Sequence, residues 1–111
     1  MTNGTDEESR IFFIVETPLG FSVRTTTSYW NLITTIKHPI MKDRETSVKL
    51  TLSDPDQIRQ SKSDDSVYLF YLSDSNNRWI CAVTKKLNGE GFLITTYRTS
   101  AIKEGIVVWQ K

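Results

Sequence analysis

RWICAVTKKLNGEGFLITTYRT, residues 78–99, decides the fold. Two apolar runs rich in β-branched and aromatic residues flank a basic connection that contains Asn88, Gly89 and Gly91. Runs of that composition joined across Asn-Gly are a β-hairpin signature, so this stretch should form the centre of an antiparallel sheet. The second run ends in Thr95, Thr96, Tyr97, Arg98 and Thr99. Period-two alternation puts Phe92, Ile94 and Thr96 on one face and Leu93, Thr95, Tyr97 and Thr99 on the other. Both sets are mixed, so either could look into a cleft. Tyr97 with Thr99 is the preferred pair, because it continues past the apolar run with polar tips only. The same hydroxyls would also suit an ordinary solvated sheet face.

Reading outward, residues 106–109 (IVVW) form a last strand after a short polar turn. On the N-terminal side, 73–77 (SDSNN) is a hairpin loop and 66–72 (SVYLFYL) a nearly continuous apolar strand. Residues 58–62 (IRQSK) form a short strand, and Asp54-Pro55 fits the cap and first position of a turn. Asp43 caps a helix over 44–52 that buries Val48 and Leu52. Ser28 caps an earlier helix, in which Tyr29, Leu32, Ile33, Ile36 and Ile40 share one face. Its many Thr and Ile residues make that helix dependent on packing, and Pro39 closes it at His38. Residues 10–16 (RIFFIVE) and 21–25 (FSVRT) form a β-hairpin across the turn at 17–20. Residues 1–9 (MTNGTDEES) are polar and read as a disordered lead-in to a single domain, 10–111. Runs of one element type rather than alternation give an α+β fold. Two helices from the N-terminal half would pack on a twisted antiparallel sheet of four to five strands, preceded by the hairpin.

A chain of 111 residues is one domain with a modest core. Net charge is +1, but Asp6, Glu7 and Glu8 hold three of the 13 carboxylates, and the remainder sets 14 cations against the other ten. A mildly basic body permits a polyanionic partner without requiring one. Cys81 alone allows no internal disulfide and reads as a small buried apolar residue. One His and one Cys exclude the usual zinc ligand sets, so neither metal nor cofactor is expected. The polar N-terminus lacks a signal-peptide pattern, and no apolar run nears the roughly 20 residues that span a bilayer. The expectation is a cytoplasmic protein with no membrane partner.

Four ordered pieces carry a resemblance. They are KHP at 37–39, VKLTLSDPDQIRQSKSDDSVYLFY at 48–71, RWICAVTKKLNGEGFLITTYRTSAIKEG at 78–105, and the ending at Trp109. This order resembles small phage and bacterial proteins of the barnase–EndoU–colicin–RelE-like RNase superfamily. The likeness lies in a His-Pro after a helix, a P-x-x-I-R-x-S segment, an apolar strand, then G-F-I-I-T-A-Y-x-T. Thr96 stands where that pattern has Ala, and the Phe-rich N-terminal hairpin lies outside the likeness. The resemblance implies helices packed on one face of an antiparallel sheet and a metal-free, RNA-cleaving cleft on the other. It also implies a toxin-like role, RNA as substrate, and an inhibitor or antitoxin protein as partner.

Metal-free RNA cleavage needs a base for the 2′-OH, an acid for the 5′-leaving oxygen, and cations or fixed donors for the phosphate. His38 is the one side chain of the type that titrates near neutrality, and is the expected proton shuttle. It would equally suit a helix C-terminus. Arg59 and Lys62 could hold the phosphate, or be solvated cations near a turn. Tyr97 and Thr99 complete the expected catalytic set of His38, Arg59, Tyr97 and Thr99. Lys62, Lys85, Lys86 and Thr96 are the expected substrate contacts, although Lys85 and Lys86 would also protect a strand edge. Ser61 reads as a surface hydroxyl, and Trp30, Trp79 and Trp109 as core or core-edge. Two other classes compete: a non-catalytic RNA- or protein-binding module on the same fold, and a degenerate member that dimerises through the N-terminal hairpin.

Overall fold

The computed structural model describes residues 10–111; the lead-in expected at 1–9 lies outside the described residues. The elements are β1 (Ile11–Glu16), β2 (Ser22–Thr26), α1 (Thr27–Leu32), α2 (Glu45–Ser53), β3 (Gln57–Gln60), β4 (Val67–Asp74), β5 (Arg78–Leu87), β6 (Glu90–Thr99) and β7 (Ile106–Gln110). They make an α+β fold. All seven strands join one sheet in the order β1-β2-β6-β5-β4-β3-β7, more than the four to five expected.

The 78–99 hairpin is the middle of that sheet. β5 and β6 pair antiparallel from Leu87↔Glu90 to Trp79↔Thr99. Asn88 and Gly89 have φ 53° and 82°, positive at both central positions as a type I′ turn requires. The additional strands come from the N-terminal hairpin, which extends the sheet rather than preceding it. β2 lies parallel to β6 at Val23↔Gly91 and Arg24↔Phe92, making the sheet mixed. Gly91 permits this approach, since a Cβ there would lie 2.8 Å from the Phe21 ring.

α1 departs from the expected pattern in start and in face. Thr26, not Ser28, caps it by accepting from the Tyr29 N–H. After Leu32 the helix widens into a π-turn, Ile33–Lys37, in which the His38 N–H donates to the Ile33 carbonyl. The widened turn changes the direction in which its own and later side chains point. Trp30, Ile33 and Thr34 are buried, while Leu32, Ile36 and Ile40 face outward. α2 buries Val48 and Leu52 as expected. Arg44 rather than Asp43 stands at its cap, and Asp43 takes a left-handed φ of 63°.

Both helices pack on one face of the sheet. There Trp30, Ile33, Val48 and Leu52 meet Ile58, Phe70, Ile80 and Ala82. The opposite, outer face has a smaller cluster built on Leu69, Tyr71 and Cys81. No helix covers it. β6 ends at Thr99 beside Trp79, whereas β7 starts at Ile106 beside Gln60, near the other end of the sheet. Residues 100–105 must therefore run back across the outer face as a strap. Ile102 packs on the Leu69–Tyr71–Cys81 cluster, and a Cβ on Gly105 would lie 2.7 Å from the Gln60 carbonyl oxygen.

Asp74 joins the helix layer to the sheet by accepting from Arg98 at 2.8 Å and Arg44 at 3.2 Å. Its carboxyl is held below the usual range, first by the Ser75 N–H and then by Arg98. A depressed folded-state pKa contributes stability above the unfolded carboxylate's value of about 3.9, and that stability is lost as pH falls through the folded value. The urea midpoint should therefore fall more steeply with acid below about pH 4 in the wild type than in Asp74→Asn.

Candidate functional site

A bulge in β6 decides which side chains share the outer face. Val83 pairs with Thr95 but Thr84 pairs with Leu93, so Ile94 is the extra residue. A bulge shifts the alternation by one residue. Phe92 therefore joins Thr95, Tyr97 and Thr99 on the outer face, while Leu93 and Thr96 point into the helix-covered core. Thr96 is fully buried and donates its hydroxyl to the Cys81 carbonyl at 2.8 Å. It is not placed to contact a substrate on the outer face, because plain alternation sets it opposite Tyr97 and Thr99, toward the core. Thr96→Val should cost about 1 kcal/mol for a lost buried hydrogen bond and leave ligand binding unchanged. Urea melts and RNA titrations would check the two halves.

Beyond Phe92 the parallel partner β2 ends its pairing, leaving the edge of β6 open. α1 and its π-turn fill the gap. The Ile94 carbonyl accepts from the Tyr29 hydroxyl at 2.8 Å, with the Lys37 ammonium at 3.5 Å. Pro39 then keeps His38 out of the helical region, at φ −142° and ψ 77°. This swings the imidazole round the sheet edge. Its ring centroid lies 5.5 Å from that of Tyr97, at 42° between planes. Two residues 59 apart in sequence thus meet at the rim of the outer face.

Tyr97, Cys81 and Tyr71 lie in one cross-strand row. Burial raises the Tyr97 and Tyr71 phenols above their ordinary range, with the Cys81 sulfur and the Glu104 carboxylate adding to the effect. Both phenols stay neutral and keep a proton to donate. Burial pushes Cys81 up to about 12, against hydrogen bonding from Tyr97 and Tyr71, so at neutral pH it is a thiol and a poor nucleophile. Glu104, on the strap, had no sequence signal as a site residue. It reaches the row only because the strap crosses the face. Tyr71 likewise looked like one more apolar strand residue.

The other expected residues divide. Arg59 is on the outer face, paired with Leu69, but β3 lies three strands from β6, or about 14 Å at the usual strand spacing. Its guanidinium donates to the Gln57 side chain at 2.6 Å and to the Gly105 carbonyl at 3.4 Å. Arg59 and His38 therefore do not flank one phosphate. The Thr99 hydroxyl, on the outer face, donates to the Ala101 carbonyl at 3.1 Å. Lys85 shares that face and pairs with Asp64 at 3.3 Å. Lys86 points the other way, its ammonium 5.1 Å from the Phe21 ring centroid. Adjacent strand residues face opposite sides, so the two lysines cannot act together. Lys62 is exposed on the loop after β3. Trp30 is core, and Trp79 and Trp109 are partly buried against the outer and inner clusters.

Among the described residues, no group of three or more His, Cys, Asp or Glu is placed to hold a metal ion. No helix among them is long and apolar enough to cross a membrane. Comparison with protein-family models, with curated proteins and with solved structures finds no match.

Proposed function

We propose that the outer face is the cleft of a metal-independent endoribonuclease, in which His38 transfers protons during attack of the 2′-OH on the adjacent phosphate. The single observation that carries this is the approach of the His38 ring to the Tyr97 ring at 5.5 Å. It sets a titratable imidazole beside a phenol that burial keeps protonated. His38 would take the 2′-OH proton and return one to the 5′-oxygen. The Tyr97 O–H, turned from the Cys81 sulfur, would donate to a non-bridging oxygen as charge develops. Arg24, over the Phe92 ring at 4.9 Å and paired with Glu90 at 2.7 Å, and Lys85, paired with Asp64, lie further along the same face, where they would exchange those exposed partners for a backbone of phosphates. RNA is the substrate in this reading, and an inhibitor protein covering the face is its natural partner. Incubation of total RNA in EDTA tests it. Wild type should cleave, and the proposal fails if it cleaves no better than His38→Ala.

The three-strand separation favours a second reading, a non-catalytic RNA- or protein-binding face, because Arg59 is committed elsewhere. Salt-sensitive RNA binding without turnover would select it.

A further inference from the structure

The strap at residues 100–105 is in contact with the very groups that an anionic ligand on the outer face would use. At one end the Ala101 carbonyl takes the Thr99 hydroxyl, and the Ala101 N–H returns a bond to Thr99 Oγ1 at 3.4 Å. At the other end the Gly105 carbonyl takes an Arg59 N–H. Between them Ile102 packs on the cluster of Leu69, Tyr71 and Cys81, in which Tyr71 and Cys81 are 2% and 0% exposed on a face that no described helix covers. Glu104 places a carboxylate near enough to Tyr97 and Tyr71 to disfavour their ionisation. A phosphate beside those phenols would meet the same repulsion. The strap thus occupies the middle of the face between His38 and Arg59.

We propose that residues 100–105 form an autoinhibitory latch that lifts to admit a single RNA strand, releasing Arg59 and Thr99 and moving Glu104 away. This rests on the reading of the outer face as an RNA site. Geometry permits the movement. The strap is not part of the strand ladder, it is fastened by one partly buried apolar side chain and a few hydrogen bonds, and Gly105 (φ 87°) can serve as its hinge. Such weakly held segments open far more often than the whole molecule unfolds. A binding-competent form populated at a tenth or less lowers apparent affinity by that fraction.

Cys81, in the cluster on which Ile102 packs, is the only cysteine and so reports opening without any RNA. The experiment follows labelling of native full-length protein by a small thiol reagent across low urea concentrations. It then compares the binding of a short single-stranded oligoribonucleotide to wild type, Glu104→Gln and Ile102→Ala. Labelling through strap lifting should be nearly independent of urea, because little surface is exposed, whereas labelling through global unfolding rises steeply. Ile102→Ala should speed urea-independent labelling and tighten RNA binding by up to about tenfold. Glu104→Gln, an exposed change that leaves the core intact, should also tighten binding. Steeply urea-dependent labelling, with RNA affinity unchanged or weaker in both variants, would overturn the latch while leaving RNA binding by the wild type standing. Urea-independent labelling with no RNA bound by any form would overturn the RNA reading itself, and the latch's gating role with it.

Discussion

His38→Ala lowers the rate of RNA cleavage by about 10²–10⁴-fold, the usual contribution of a positioned proton-transfer group. Among the described residues no other imidazole can substitute, and the phenol beside it is held protonated by burial, so it cannot act as the base. The loss should fall on turnover more than on binding, because His38 acts on the reacting oxygens while Arg24 and Lys85 lie further along the face. The fold should persist. His38 is only partly buried, and its ring contact with Tyr97 is of a kind worth about 0.5–1.5 kcal/mol. Single-turnover cleavage of an oligoribonucleotide, with a urea melt on the same samples, separates lost chemistry from lost structure.

Phe70→Ala costs about 3–5 kcal/mol, the range for removing a buried aromatic side chain. Phe70 is fully buried at the centre of β4, where its ring meets that of Phe21 edge-on at 6.5 Å. It therefore binds the N-terminal hairpin to the middle of the sheet. β4 and its neighbours are held in register by long ladders, so the site can collapse little around the cavity. A domain of this size has a total stability of about 5–15 kcal/mol, and the variant should be marginal near 37 °C. Urea denaturation followed by tryptophan fluorescence gives the shift.

The two hairpins, the burial of Val48 and Leu52, and the α+β order were legible in the sequence, because each depends on local pattern: a Pro-Leu-Gly and an Asn-Gly turn, apolar runs, helical spacing. The face of α1 was not. Its apolar residues fit a regular helix, but the π-turn after Leu32 directs Ile36 and Ile40 outward and leaves Trp30 to fill the core. The side taken by Phe92 was hidden in the same way, since a single bulge at Ile94 moves it from the face of Thr96 to that of Tyr97. Neither irregularity leaves a mark in composition. The joining of the N-terminal hairpin to β6 was also hidden, as a parallel contact of two residue pairs has no local signature. At the site, Tyr97 and Thr99 lie on the outer face and Thr96 on the helix-covered one, and Tyr97 meets His38. Arg59 shares the face but not the position, because three strand spacings are a property of the sheet order. Glu104 became visible only with the crossover that carries it over the face.

The most direct test is end-group analysis of a defined oligoribonucleotide incubated with the protein in EDTA, beside the same strand carrying one 2′-deoxy residue at the cleaved position. Attack by the 2′-OH leaves a 2′,3′-cyclic phosphate and a 5′-hydroxyl, and the 2′-deoxy strand stays intact at that position. Those ends, formed by wild type and absent with His38→Ala, are the expected result. A 3′-hydroxyl with a 5′-phosphate, cleavage at the deoxy position, or equal rates for wild type and His38→Ala would contradict a metal-free cleft built on His38 and Tyr97.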